Sequence, residues 1–450
     1  MRRTARPGAA AAAGSLLAAL LAGALLVVPA VPASADSEPP AAPAPAVLEP
    51  LDPSAAPAAT PEGVQAAIGR LVRRDLGDAS VVVVDPTTDT VLFDRAGDRP
   101  RIPASTAKLA TAAAALSILG AQTRLPTVAA REGDTVYLVG GGDPSLVRGK
   151  GGNPLAGGSA SLRDLARQTA DALTTDVPVT VAYDDSAFRG PSLGPGWPSS
   201  FPAAGVAAPV TALVVDGGRV RPGSLSRVSD PARQAATVFA SLLRAEGVEV
   251  ADVVKGRAPE SVTEVARVES PPVADLVQRM LTDSENNYAE ALAHLVGGEA
   301  LDKPTFAGGA SATEQALTDL GIDVEGLDLA DGSGLSGRNR TPVRVLADLL
   351  SDAVRGDDAV LAPIPPGLAV AGLTGTLADR FDTAATRPGR GFVHAKTGTL
   401  TGVSSLAGTV QDADGRVLVF AMIANNVTSL AGVRETMDLI ASRLATCGCR

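Results

Sequence analysis

The chain has 450 residues, 45% hydrophobic and 20% charged, a globular composition long enough for two or three domains. A net charge of −10 with only 3% aromatic residues argues against nucleic acid and against an anionic membrane surface as partners. The two cysteines, Cys447 and Cys449, and the two histidines, His294 and His394, are too few and too isolated for a metal centre. The cysteines can pair with each other, pair between chains, or lie in a frayed tail with no role.

Residues 1–6 are basic, residues 8–28 are apolar, and Ala33-Ser34-Ala35 is a small-residue cleavage pattern. Residues 1–35 therefore read as a secretory signal peptide, cut near Ala35, and the protein is expected to be exported. The rival reading is an uncleaved anchor, the one route by which a membrane becomes a partner. Residues 36–61 are rich in Pro and Ala and read as a disordered spacer.

From there the spacing predicts a helix over 61–76, a buried strand over 80–84, a turn at 86–89 and a returning strand at 91–93. Ser105 follows, in Pro103-Ala104-Ser105-Thr106-Ala107-Lys108, and an alanine-rich helical run extends to Leu119. Residues three apart share a helix face, so Ser105 and Lys108 lie side by side. A serine is a weak nucleophile until a base takes its proton, and a lysine serves once burial lowers its pKa. One such pair alone also fits a solvated helix face.

Residues 124–270 have another texture: short strands (135–139, 177–183, 210–215) and two helices (162–173, 232–246) among Gly/Pro-rich loops. They read as an inserted domain between two parts of a catalytic domain, 62–123 and 271–450. The triplet Gly140-Gly141-Gly142 lacks a Gly-Lys-Ser/Thr ending and reads as a turn, not a phosphate loop. Helical spacing returns over 273–281. A polar break, Thr282-Asp283-Ser284-Glu285-Asn286-Asn287, separates it from a helix over 288–296. In the plainest account Asp283 or Ser284 only caps that helix. A tight loop at 331–336 and a helix over 343–354 come next. A strand over 392–396 carries Lys396-Thr397-Gly398, a hairpin pairs 404–410 with 417–424, and a helix over 433–444 closes the chain. Strands at both ends must meet in one antiparallel sheet flanked by helices, an α+β architecture.

Three motifs thus stand in order: Ser105/Lys108, Ser284/Asn286 and Lys396/Thr397/Gly398, using two of the five lysines in the chain. Together they are specific where each alone is weak. With Tyr137-Leu138-Val139-Gly140-Gly141-Gly142-Asp143-Pro144, Gly196-Trp197-Pro198 and Asp331-Gly332-Ser333-Gly334-Leu335-Ser336, the chain resembles the class C low-molecular-mass penicillin-binding proteins, the D-Ala-D-Ala carboxypeptidase/endopeptidase family. The resemblance implies the serine penicillin-binding/β-lactamase-like transpeptidase fold with a large inserted domain. It also implies action on bacterial peptidoglycan stem peptides in the cell wall, β-lactam antibiotics as inhibitors, and no metal or organic cofactor. On that pattern Ser105 is the nucleophile, Lys108 its base, and Ser284 the proton relay. Asn286 holds the substrate amide and Lys108; Lys396 and Thr397 bind the terminal carboxylate, and the Lys396 charge lowers the pKa of Lys108. Gly398 admits the substrate backbone, and the N–H groups of Ser105 and Thr399 hold the oxyanion. His394 would share the strand face of Lys396 and reads as a rim residue. Ser199-Ser200-Phe201 stands where some family members carry an acidic residue, so no diamino-acid preference follows. The alternatives are a β-lactamase, for which Glu325 is the nearest water-activating candidate, and a catalytically inactive wall-binding protein on the same fold.

Overall fold

The structure is a computed structural model and describes residues 56–151, 158–173, 177–356 and 358–450. The signal-peptide reading and most of the spacer reading lie outside those residues. Among the described residues no helix is long and apolar enough to cross a membrane.

The three motifs hang on a sheet built from both ends of the chain. Helix α1 (Pro61–Arg74) starts at a Thr60 cap and leads into β1 (Ala79–Asp85) and β2 (Thr90–Arg95). A 3₁₀ turn at Ala104–Ala107 opens α2 (Lys108–Ala114), which widens into a π-helical turn, Ala115–Leu119. Strands β3 (Pro126–Glu132) and β4 (Thr135–Gly140) follow, then α3 (Leu162–Ala172), β5 (Val179–Asp184), the short α4 (Phe201–Ala204), α5 (Pro231–Ala245), β6 (Val250–Lys255) and β7 (Thr263–Glu269). Helices α6 (Val273–Asp283), α7 (Asn286–Leu301), α8 (Phe306–Asp319) and α9 (Val343–Arg355) come next, with the short α10 (Ile364–Gly367) and β8 (Ala369–Val370). Strands β9 (Val393–Leu400), β10 (Val403–Gln411) and β11 (Val417–Ala424), then α11 (Leu430–Thr446), complete the chain.

The first sheet has the order β2-β1-β11-β10-β9-β8, and all its pairings are antiparallel. As the sequence required, its ends meet: Val82 of β1 pairs with Ala421 of β11. The valine run is fully buried because the sheet is covered on both faces. Val82 and Val84 point into a core shared with α2, α6, α7 and α9. Val81 and Val83 point into a second core with α1 and α11. Alternation at period two makes that division. Helix α2 is buried along its whole length, and its alanines let four other helices approach it closely.

Strands β3 to β7 form a second sheet, order β6-β5-β4-β3-β7, parallel at β4–β5 and β5–β6 and antiparallel elsewhere. Helices α3 and α5 fill its core with Leu162, Leu165, Phe239 and Leu243. Three of its strands, β3, β6 and β7, were not foreseen, nor was α8, whose Gly308 and Gly309 weaken its helical signal. Conversely, residues 210–215 do not form the expected strand. They are largely buried, but their backbone bonds go to loops: Val210 N–H to Ser192 O at 2.7 Å, and Gly142 N–H to Ala212 O at 2.9 Å. Cys447 and Cys449 are joined by a disulfide, and Thr60 N–H donates to Cys449 O at 2.6 Å, fastening the chain end to the start of α1.

Candidate active site

Ser105 lies in the 3₁₀ turn before α2, where residues three apart eclipse, so Lys108 comes directly beneath it. Lys108 Nζ donates to Ser105 Oγ at 3.1 Å, to Asn286 Oδ1 at 2.7 Å and to Ser333 O at 2.7 Å. The ammonium of a fully buried lysine thus has all three protons placed. Ala104 holds φ at +49°, a left-handed conformation that costs a non-glycine residue about 1–2 kcal/mol. That kink sits immediately before Ser105.

The break between α6 and α7 supplies the second wall. Ser284 ends α6 in a left-handed conformation, and the residue before α7, Glu285, makes no side-chain cap. The capping account therefore fails: the Ser284 hydroxyl instead accepts from Lys396 Nζ at 2.9 Å. Asn286 Nδ2 donates to Val206 O at 2.8 Å, which orients its oxygen toward Lys108.

Strand β9 supplies the third wall. Lys396 is fully buried and also donates to Thr397 O at 2.8 Å. Thr397 Oγ1 donates to Thr376 Oγ1 at 2.8 Å, and Arg434 donates to Thr399 Oγ1 at 2.8 Å. A Cβ at Gly398 would lie 2.1 Å from Ser405 Oγ and 2.9 Å from both Pro103 O and Ser105 N. Only a glycine lets β9 run this close to the Ser105 turn. Strand β8 pairs with His394 and Ala395 alone, so β9 beyond them is not paired to β8.

Burial lowers the Lys108 pKa to about 8, although Glu290, Asp331 and Glu285 push it back up. Burial and then the Lys108 charge hold Lys396 well below its ordinary value. The repulsion between the two ammonium groups is mutual, and burial is the leading cause of the lowered value at Lys108.

The motif residues therefore come together: Ser105, Lys108 and Asn286 in one hydrogen-bonded group, Ser284 and Lys396 in another, with Thr397, Gly398 and Thr399 along the adjoining strand. Sequence reasoning missed what holds them. Glu290, one turn beyond Asn286 on α7, is buried and accepts from Gly332 N–H at 3.1 Å and Ser333 N–H at 2.8 Å. Burial and the neighbouring Asp331 push its carboxyl above the usual carboxylate range, while the two loop N–H bonds oppose them. Asp331 accepts from Trp197 Nε1 at 2.7 Å, Gly334 N–H at 2.8 Å, Ser336 N–H at 2.6 Å and Asn339 Nδ2 at 2.8 Å. Together they fix the turn whose Ser333 carbonyl faces Lys108. A carboxylate inside the largely apolar 288–296 run was the available signal for Glu290. His294 packs between Phe188, tilted at 38°, and Phe306, edge-on at 79°, and bonds Glu290 O at 2.8 Å, and burial lowers its pKa to about 4. His394 is half-buried and bonds Gly391 O at 3.3 Å.

This arrangement of sheet, helices and cleft is the fold of the penicillin-binding proteins. The structure of penicillin-binding protein 4 from Haemophilus influenzae superposes with a TM-score of 0.68 at 22% identity, covering 85% of this chain and 97% of that one. The family model for the D-Ala-D-Ala carboxypeptidase 3 (S13) family matches residues 69–226 and 221–447, and the chain belongs to that family. It is 37% identical over 417 residues to a carboxypeptidase of Mycobacterium tuberculosis, covering 90% of this chain and 89% of that one. It is 36% identical over 449 residues to carboxypeptidase DacB of Mycolicibacterium smegmatis, covering 97% and 95%.

Proposed function

We propose that this protein is an exported serine D-Ala-D-Ala carboxypeptidase/endopeptidase that acts on peptidoglycan stem peptides through a Ser105 acyl-enzyme and is inhibited by β-lactams. The observation that carries the reading is the buried Lys108 amine, 3.1 Å from Ser105 Oγ, with a pKa lowered to about 8. Neutral Lys108 takes the Ser105 proton as Oγ attacks the carbonyl between the two D-alanines. The oxyanion forms against the N–H groups of Ser105 and Thr399, donors worth roughly 3–4 kcal/mol each in the transition state. The proton passes through Ser284, whose hydroxyl both donates and accepts, to the leaving amine. The C–N bond breaks, and the peptide remains as an ester on Ser105. Lys396 and Thr397 hold the departing carboxylate by charge-assisted bonds. Water then attacks the ester, Lys108 takes its proton and returns it to Ser105 Oγ as the ester C–O bond breaks, and the acid is released. The free stretch of β9 lets the substrate backbone lie alongside as an added strand. Residues 62–123 with 271–450 form the catalytic domain in this reading, and 124–270 the insertion.

A β-lactamase of class A would need a glutamate to activate the deacylating water. Glu325 does not suit that role, since it is exposed and its N–H bonds Asp323 at 2.9 Å. The deciding experiment is intact mass after incubation with benzylpenicillin, beside Ser105→Ala. One stable penicilloyl adduct on the wild type alone supports the reading, and D-alanine release from a pentapeptide completes it. Absence of an adduct with penicillin intact sinks the acylation mechanism; rapid penicillin hydrolysis without adduct makes the protein a β-lactamase.

A further inference from the structure

A second cavity, of about 300 Å³, lies between the loop 144–148, the segment 216–227 and helices α6 and α7. Four arginines line it: Arg148, Arg219, Arg227 and Arg279. The lining carboxylates are Asp216, which pairs with Arg148, and Glu285. Arg279 sits over the Tyr288 ring at 5.5 Å. Arg219 and Arg227 are direct antiparallel bridge partners, so the backbone holds two like charges opposite each other. That pairing is unfavourable on its own. Arg219 Nη1 donates to Ser224 O at 2.9 Å and Arg227 Nη1 to Gly217 O at 3.1 Å, both neutral acceptors. Arg227 Nε is buried with no acceptor among the described residues. Burial and then the Arg219 charge disfavour the cationic form of Arg227, against a smaller opposing pull from Glu285. In a chain whose net charge is −10, this is a concentrated patch of the opposite sign. A bound anion would relieve both the repulsion and the desolvation.

We propose that this cavity is a substrate subsite that takes a peptide carboxylate lying N-terminal to the cleaved bond. The inference rests on the proposed peptidase reading. Its link to the cleft is Glu285, which lines the cavity and stands in the chain between Ser284 and Asn286, so a substrate peptide running along that wall passes the cavity mouth. An anionic oxygen group could otherwise come from a phosphate-bearing wall polymer.

The test is calorimetric binding to the full chain carrying Ser105→Ala, which does not require turnover. The probes are L-Ala-γ-D-Glu-L-Lys with its glutamate carboxylate free, the same peptide with that carboxylate amidated, and glycerol phosphate. The free acid is expected to bind about tenfold more tightly than the amide, as for loss of one charge-assisted hydrogen bond. That preference is expected to vanish in Arg219→Gln/Arg227→Gln and to shrink in Arg279→Gln, an exposed position whose change does not threaten folding. Equal affinity for acid and amide, no binding of either, or a preference that survives the variants overturns the proposal. So does arginine-dependent binding of glycerol phosphate without binding of the peptide acid. The penicillin adduct on the wild type reports separately on the Ser105 reading.

Discussion

The protonation of Lys108 sets a measurable pH profile. At about pH 7, an amine with a pKa of about 8 is neutral in about one molecule in ten, whereas at the ordinary 10.5 it would be neutral in about three in ten thousand. Burial in the cleft therefore supplies roughly a 300-fold gain in competent base. The base form is the deprotonated one, so activity is lost as pH falls below the folded pKa and is full above it. The second-order rate of acylation by benzylpenicillin, followed by rapid-quench intact mass, should climb about tenfold per pH unit from about 5.5 to 7.5 and level off above about 8. Glu290, Asp331, Glu285 and Lys396 are the charged groups coupled to this amine, and they set where the midpoint falls. Lys108→Arg keeps a cation that cannot deprotonate. It should slow acylation about a thousandfold at neutral pH, within the range for losing a general base. A wild-type profile flat from about pH 5.5 to 8.5, or an arginine variant that acylates at the wild-type rate, would refute the reasoning.

Two substitutions test how the site is supported. Gly398→Ala puts a Cβ into Ser405 Oγ, Pro103 O and Ser105 N, so β9 must retreat from the nucleophile turn. Acylation should fall by about 100-fold as the oxyanion donors move apart, with stability reduced by about 1–3 kcal/mol. Unchanged acylation together with an unchanged urea midpoint would exclude the close approach. Glu290→Gln keeps one acceptor oxygen but turns an NH₂ toward the other loop N–H. Urea unfolding should show a loss of about 1–3 kcal/mol, and penicillin acylation should slow as the Ser333 carbonyl shifts from Lys108. A variant as stable as wild type would show that the two bonds do not hold the turn.

The resemblance to a known family was legible because its motifs are short and local. So were the buried valine strand, the hairpin over β10 and β11, and the helices over 162–172, 231–245 and 343–355, each carried by periodicity within a few turns of chain. Less legible was the second sheet. Strands β6 and β7 are largely exposed and mix charged with apolar residues, so their pairing is set by neighbours distant in sequence. Residues 210–215 carry a strand's composition, yet no ladder is available to them and they serve as a buried connector.

By itself the sequence determined that Ser105 and Lys108 are adjacent, because a helical turn fixes residues three apart. It also determined that the first and last strands must share a sheet. Only the tertiary structure decided the rest of the cleft. Asn286 meets Lys108 across 178 positions and Ser284 meets Lys396 across 112. The third acceptor of the Lys108 amine is the backbone carbonyl of Ser333, aimed by the buried Glu290 side chain. Every residue has such a carbonyl, so no side-chain pattern marks the one that matters; packing alone turns it toward the lysine.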